Sequence, residues 1–242
     1  MRPVRVFLSV GVVAVILLVG VTVFGATAYE AIADSGEIAG GQMGGGDGSA
    51  NVQQAQRAFP GLLNAALSPE NVRRYVEVAN NASAGPASHG ALINFDDVAA
   101  PCPFEDTAAL RGLHQGGFFW APRSDGGAIL DECSNFGVPA HSPPNFLAFN
   151  NAVVYPDGGV PKLPELIMVG PGHTRVSMWA SGGYIPGFPV AIIAFGPGGV
   201  QDVQVFVTMS TWVEYGLTGT DIRGLLLIGN PQLLVIDDIV TN

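Results

Sequence analysis

The sequence is poor in charge, and basic residues are the scarcer kind. Only 12% of its 242 residues are charged, and 20 acidic residues outnumber 10 basic ones, giving a net charge of -10. Nucleic-acid binding requires a basic patch or stripe, and none is visible, so nucleic acid is excluded as a partner. Low charge together with 33 glycines and 18 prolines excludes a coiled coil and charge-driven disorder, and favours a turn-rich β protein.

Recognisable catalytic motifs are also lacking. The sequence has no Gly-x-Ser-x-Gly elbow and no Cys–His pair within a supporting motif. Acids such as Glu105, Glu165 and Glu214 are scattered, and nothing selects two of them as a glycosidase pair. The four histidines are widely spaced and are expected at the surface or in turns: His89, His114, His141 and His173. The sequence therefore predicts a protein that is not an enzyme.

One long hydrophobic run stands near the N-terminus. Residues 6–24 are predominantly apolar, contain no acid, base or amide, and follow Arg2 and Arg5. The run is near the lower limit of about 20 residues for a membrane-spanning helix, and the two arginines place the N-terminus inside. Ala26 and Ala28 supply the small residues of a signal-peptidase site. Residues 1–28 are thus a membrane anchor or a cleaved signal peptide, and both alternatives place the rest of the chain outside, at the cell surface or secreted.

Between this segment and the domain lie a tether and a neck. Residues 29–50 include the glycine-rich stretch 40–48, which predicts a flexible tether. Residues 51–90 have helical periodicity and predict a short helical neck, with Ser68-Pro69-Glu70 as a helix start. Asn81 begins an Asn-x-Ser glycosylation sequon, expected in the exposed segment after the helix.

Residues 91–242 predict an all-β domain, an antiparallel β-sandwich. Short apolar runs are separated by turn residues, and no helical pattern recurs between them. The predicted strands are 92–95, 117–121, 146–155, 165–169, 175–180, 190–195, 202–212, 224–228 and 233–240.

The run 202–212 shows the clearest alternation. Its odd-numbered members Val203, Val205, Val207 and Met209 are expected to face the core. The same alternation places Trp212 on the opposite face.

Cys102 and Cys133 are the only cysteines. Outside the cytosol an even pair is most often a disulfide, which is the prediction here. Two unpaired thiols in the same region are the alternative.

Three segments carry a family resemblance. Ile93-Asn94-Phe95-Asp96-Asp97 opens the domain, 142–150 (SPPNFLAFN) precedes the central strands, and Leu234 to Ile239 (LVIDDI) closes it. This order resembles the extracellular jelly-roll domains of galactose-binding-like fold in secreted prokaryotic proteins, including those with PEP-CTERM sorting tails. The resemblance covers residues 91–242 and implies that the first and last strands lie close together.

The resemblance also implies a structural Ca²⁺ ion between the two ends of the domain. Asp97 and Asp238 are the candidate ligands, since Ca²⁺ binds hard oxygen atoms. The alternative is that these are strand-end aspartates that accept backbone N–H bonds. Consecutive strand residues point to opposite faces, so only one aspartate of each pair can reach an ion unless a bulge intervenes.

Large rings and amides are the candidate ligand-binding residues. Trp179 and Trp212 are expected away from the core, and an exposed ring buries much apolar area against a sugar at little entropic cost. The set comprises Trp179, Trp212, Tyr184, Asn145 and Asn150. Packing beneath loops is the alternative for each ring.

Two functions fit these observations best, and an enzyme of unrecognised type is the third alternative. The first is a non-catalytic binding module, for carbohydrate, which the resemblance also implies because relatives bind saccharides. The second is a structural or adhesive surface protein that engages other proteins and has no small ligand.

Overall fold

The structure, a computed structural model, describes residues 57, 68–81, 90–103, 113–114, 118–120, 127–154 and 163–242. The predicted anchor and most of the predicted tether and neck lie outside these residues. Within them, no helix combines the length and the apolar character that crossing a membrane requires.

The helix α1 (Pro69–Asn81) begins where the sequence predicts. The Ser68 hydroxyl accepts a hydrogen bond from the Asn71 amide at 3.3 Å, and Glu70 lies in the first turn. A hydroxyl cap and an acid near the positive end of the helix dipole both stabilise this terminus. Asn81 is the last helical residue, so the sequon starts within the helix and not after it.

Ten strands are found in the described residues, and all pairings between them are antiparallel. They are β1 (Leu92–Ile93), β2 (Leu113–His114), β3 (Phe118–Trp120), β4 (Ala128–Asp131), β5 (Asn145–Asn150), β6 (Glu165–Ser181), β7 (Pro189–Gly196), β8 (Gly199–Val207), β9 (Val213–Gly229) and β10 (Leu233–Thr241). The predicted antiparallel, sandwich-like all-β domain is confirmed.

The two 17-residue strands β6 and β9 run through both halves of the sandwich. The outer half has the order β4-β5-β10, followed by residues 176–181 of β6 and 213–218 of β9. The inner half contains β3, the other ends of β6 and β9, then β7 and β8. The core fills the space between the halves and includes Val176, Met178, Ile192, Leu227 and Ile236.

The sequence predicts two strands where β6 is continuous. Its register with β9 shifts between Met168 and Arg175, where Gly170 and Gly172 adopt positive φ angles of 86° and 87°. Glycine adopts this backbone conformation without strain. The glycines therefore bend the strand between the two halves and do not end it.

The alternation predicted for 202–212 is confirmed at Val203, which is fully buried, and is wrong beyond it. Strand β8 ends at Val207, Met209 is 52% exposed, and Val205 and Val207 are half-buried. The buried residues include Phe206, which stacks on Tyr215 at 3.9 Å, and Asp202, which accepts the Thr218 amide at 2.9 Å. A large ring and a carboxylate that accepts a backbone amide within β9 thus take buried positions.

The first and last strands pair, as predicted. Leu92 lies opposite Val240 and Ile93 opposite Ile239, and the Thr241 amide donates to Ala91 O at 3.0 Å. This pairing brings the turn at 95–98, with its two aspartates, to the end of β10.

The predicted disulfide between Cys102 and Cys133 is confirmed, with a Cα–Cα distance of 6.2 Å. Both cysteines are exposed, and Cys133 lies in a 3-10 helix, Glu132–Ser134, that follows β4. The bond therefore fastens the segment after β1 to the loop between β4 and β5.

Replacing both cysteines by serine should lower the unfolding free energy by about 3–4 kcal/mol, because a closed loop of about 30 residues restricts the unfolded chain. Urea unfolding of the full chain, with and without reductant, measures the difference. Reductant should destabilise the native chain and leave the double variant unchanged. An equal effect of reductant on both chains would contradict the prediction.

Candidate functional site

A bulge in β10 turns two consecutive carboxylates toward one loop. The register of β10 with β6 shifts between Asp237 and Val240, and Asp238 has a positive φ of 45°. A bulge re-aims side chains that would otherwise alternate. Asp237 is fully buried and Asp238 is only 8% exposed.

Both carboxylates bind the loop between β4 and β5. The Ser142 amide donates to Asp237 Oδ2 at 2.9 Å, and the Asp238 amide donates to Asp237 Oδ1 at 2.8 Å. The Ser142 hydroxyl donates to Asp238 Oδ1 at 2.6 Å, and His141 Nδ1 lies 2.5 Å from Asp238 Oδ2. Hydrogen bonds to carboxylates are among the stronger ones in proteins, so they hold His141 and Ser142 firmly over the sheet.

His141 joins two tryptophans into an aromatic trio, defined as His141, Trp179 and Trp212. The imidazole stacks on Trp179 with centroids 4.1 Å apart and planes 18° apart. It meets Trp212 edge-on at 5.9 Å. Trp212 Nε1 donates to Pro139 O at 2.9 Å. His141 therefore covers one face of Trp179, and both tryptophans are half-buried.

The trio lies on the side of the outer half that points away from the core, since the neighbours of Trp179 in β6, Met178 and Ala180, face the core. Trp179 lies in register with Asp237 on one side and Glu214 on the other. Beside it, a second apolar cluster packs under the loops and includes Phe136, Phe146, Val235 and Trp212. Trp212 follows the end of β8 and does not end a long strand, contrary to the sequence prediction.

Tyr184 borders a shallow cleft in the same region. The cleft is lined by Asp131, Glu132, Cys133, Asn135, Gly137, Val138 and Pro139. Tyr184 is 57% exposed, and its amide donates to Phe136 O at 3.0 Å. Gly137 has a φ of 86° and packs against the Tyr184 backbone, so a side chain at 137 would be strained and would collide with it. Trp212 is joined to the same cleft by its hydrogen bond to Pro139 O.

The two candidate asparagines serve the fold. Asn145 is only 2% exposed, and its side-chain amide donates to Phe95 O at 2.9 Å and to Val98 O at 2.8 Å. Asn150 ends β5, and its side-chain oxygen accepts the Ala152 amide at 3.0 Å. Asn145 thus holds the turn at 95–98 from inside, where a ligand on the surface does not reach it.

The contacts of Asp238 bear on the predicted calcium site. Both of its carboxylate oxygens have partners in His141 and Ser142, and Asp97 is exposed on the turn. Among the described residues, one group of three candidate ligand atoms converges, and it consists of Asp131 and the two disulfide sulfurs. A carboxylate oxygen can accept a hydrogen bond and also coordinate an ion, so these contacts do not test the site and calcium stays a prediction.

The carboxylate of Asp96, in the same turn, lies close enough to Asp238 to interact with it electrostatically. Burial raises its pKa, the hydrogen bond from the Asn145 amide opposes this, and the negative charges of Asp238 and Asp97 raise it further. The pairing of β1 with β10 has therefore brought acids together, as expected.

Sequence reasoning missed the parts that organise the site. Ser142 was not singled out as a site residue, and His141 was expected only at the surface. Of the cleft residues, Cys133 alone was singled out, as a disulfide partner. His173 is buried in β6, contrary to expectation, with Nε2 2.9 Å from Val169 O. The available signal was Asp237, since a carboxylate inside an apolar strand requires donors from a neighbouring loop.

Ser142 and His141 do not form a nucleophile–base pair. The Ser142 hydroxyl donates to Asp238 and not to the imidazole. His141 is thus not placed to take its proton, as a nucleophilic serine requires.

Burial raises the pKa of Asp237 to about 7, against the bonds from Ser142 and Asp238, and the negative charge of Asp238 adds to the rise. In the unfolded chain its pKa is about 3.9. Between about pH 4 and 7, Asp237 is therefore protonated in the folded state and ionised in the unfolded chain. The free energy of unfolding then falls as pH rises through this window, by about 4 kcal/mol at most.

We expect Asp237→Asn to flatten this fall, measured by urea unfolding at a series of pH values in the presence of a chelator. Asp221→Asn is the matched control. Its hydrogen bond from Arg223 lowers the pKa of Asp221, so its contribution is lost at lower pH and the fall between pH 4 and 7 should persist. A wild-type stability that rises across this window would contradict the assignment.

Comparison with known proteins gives weak likenesses. No protein-family model and no curated protein matches the sequence. The K2 adhesin domain of Lys-gingipain matches at a TM-score of 0.44 and 13% identity, covering 63% of this chain and 97% of that one. The K1 adhesin domain from Porphyromonas gingivalis matches at 0.36 and 8%, covering 52% and 89%. A family 22 carbohydrate-binding module of Clostridium thermocellum Xyn10B matches at 0.31 and 14%, covering 52% and 84%. None of these likenesses assigns the chain to a family.

Proposed function

We propose that the domain is a non-catalytic binding module for carbohydrate. The observation that carries this proposal is an open cleft with two aromatic residues held beside it: Tyr184 packs against Gly137 of the cleft, and Trp212 donates to Pro139 of the cleft. Sugars present flat C–H faces that pack on aromatic rings, and they present hydroxyls that hydrogen-bond to polar groups. Both kinds of partner are present here.

Rigidity is what makes this surface suited to binding. Tyr184 is fixed through its backbone, while its ring remains more than half exposed. Trp212 is fixed through its indole N–H and its packing on the outer cluster. Side chains that are already ordered lose little entropy when a ligand arrives.

Trp179 supports the binding surface in this proposal and does not contact the sugar itself. Because His141 covers one of its faces, its main role in this proposal is to seat His141, which itself keeps 29% of its side chain exposed. Tyr184 and Trp212 are therefore the residues proposed to touch the sugar.

We place the domain outside the cytosol, held by residues 6–24 or released after cleavage. The disulfide supports this placement, since such bonds persist in oxidising compartments. The paired first and last strands support a jelly roll of galactose-binding-like type.

One observation favours adhesion to another protein instead. Leu92 is 50% exposed, Val240 is 38% exposed, and the two lie opposite each other on paired strands. Exposed apolar neighbours of this kind are suited to a protein contact.

Tyr184→Ala should weaken glycan binding by about tenfold, near 1.4 kcal/mol, because one stacked ring is lost. The unfolding free energy should change by no more than about 0.5 kcal/mol, since the ring is exposed and the backbone bonds remain. A glycan array, followed by titration of the full chain in a polyoxyethylene detergent, provides the measurement.

Leu92→Ala is the control, because it removes an equally exposed apolar side chain on β1. It should leave glycan affinity unchanged. A blank array, combined with protein or homotypic binding that Leu92→Ala removes, would establish adhesion and refute carbohydrate binding.

A structural calcium ion at Asp97 and Asp238 is a secondary proposal. Calcium well above its dissociation constant should raise the thermal midpoint by several degrees relative to chelator. The Asp97→Ala/Asp238→Ala double variant should lose this increase. No increase in the native chain, or the same increase in the double variant, rules the site out.

A further inference from the structure

The candidate binding surface is built from stretches of chain that contain no lysine and no arginine. Residues 124–161 supply the cleft and His141, and residues 176–222 supply both tryptophans and Tyr184. Neither stretch holds a lysine or an arginine, although such residues flank them: Arg123, Lys162, Arg175 and Arg223.

The acids of these stretches lie at the surface in question. Asp131 and Glu132 line the cleft, where Asp131 accepts the Cys133 amide at 2.8 Å and Glu132 accepts the Ala140 amide at 3.2 Å. Glu214 lies in register with Trp179 on the outer face. Among the described residues, these three acids are the unburied charged groups nearest the cleft and Trp179, and the guanidinium of Arg175 lies farther along the outer face, against Gly216. The net charge of the chain is -10.

The twin loops, defined as residues 181–189 and 207–213, form the uncharged side of the surface. They contain no acidic, basic or histidine residue. Hydrogen bonds tie them together: the Gly182 amide donates to Met209 O at 2.7 Å, and the Gly187 amide donates to Thr208 O at 2.8 Å. They present Tyr184 and Trp212 on a firm, neutral base.

We propose that the ligand of this surface is an uncharged polysaccharide, and that polymers bearing carboxylate or sulfate groups are rejected. The inference rests on the proposed function and names its substrate class. An anionic group brought to the cleft would lose water and meet Asp131 and Glu132, and none of the described residues that line the cleft is basic, so its approach is unfavourable. A neutral sugar meets rings for stacking and carboxylates that accept its hydroxyl hydrogens.

Salt dependence is a second consequence. Ion pairs between a protein and its ligand weaken as salt screens them. Because the proposed ligand forms none, its affinity should change by less than about twofold between low and high ionic strength.

The test uses the full chain in a polyoxyethylene detergent, since glycoside detergents would compete for the site. Polymers are compared in pairs that share a backbone: dextran with dextran sulfate, hydroxyethyl with carboxymethyl cellulose, and fully methyl-esterified polygalacturonate with polygalacturonate. We expect the neutral member of at least one pair to bind, and its charged counterpart to bind at least about tenfold more weakly.

A lysine introduced at the binding surface tests whether charged polymers are rejected by the charges near the cleft or by the net charge of the whole chain. Thr211 is exposed in the twin loops next to Trp212, so Thr211→Lys should strengthen binding of the charged polymer several-fold. Val200→Lys adds the same charge at the start of β8, in the inner half, and should have no such effect.

The outcomes separate the two proposals. Charged polymers that bind as tightly as neutral ones, or an affinity that falls steeply with salt, overturn this inference and leave carbohydrate binding intact. An equal gain from both lysine variants overturns it too, because the rejection would then reflect only overall charge. Absence of binding to every polymer and to the glycan array overturns the proposed function and this inference together.

Discussion

The organisation of the outer face depends on one buried carboxylate. Asp237 lies in the middle of an apolar strand, fully removed from water, and such a group requires hydrogen-bond donors. The bulge that follows supplies one donor from the Asp238 amide, and Ser142 supplies another. The loop that leads into β5 is thereby drawn onto the sheet, and His141 comes with it.

From that attachment the remaining contacts follow in sequence. Once His141 lies over the sheet, its ring seats on Trp179 and meets Trp212. Pro139, two residues earlier, receives the Trp212 indole, and the cleft forms from the residues between β4 and Pro139. The disulfide secures the start of the same loop at Cys133. The hydrogen bonds of Asp237 in β10 thus position the loop between β4 and β5, and that loop forms the cleft.

Much of the fold can be predicted from the sequence, and the limits have physical causes. Turn residues between short apolar runs predict an antiparallel sandwich, and Ser68-Pro69-Glu70 predicts where α1 begins. The length of β6 cannot be predicted in this way, because Gly170 and Gly172 have the same signature whether they end a strand or bend it. In β8, Val203 is buried as its periodicity predicts, but Phe206 and Asp202 are buried against Tyr215 and Thr218 of the neighbouring β9, which periodicity does not reveal.

The candidate site could be predicted only in part for a related reason. Trp179, Trp212 and Tyr184 are conspicuous as large rings, and the structure brings them to one region. Asn145 is equally conspicuous as an amide, yet its bonds to Phe95 and Val98 show that it supports a turn. Whether a polar residue supports the fold or is available to a ligand depends on which strands and turns pack around it, and these come from distant parts of the sequence.

The two long strands have a consequence for how the domain comes apart. Because β6 and β9 belong to both halves, neither half possesses a complete sheet of its own. Separating the halves would require breaking these strands across their bends, where the chain is continuous. Opening in one half therefore removes hydrogen-bonded neighbours from the other, and the loss of order spreads through both as a single cooperative event.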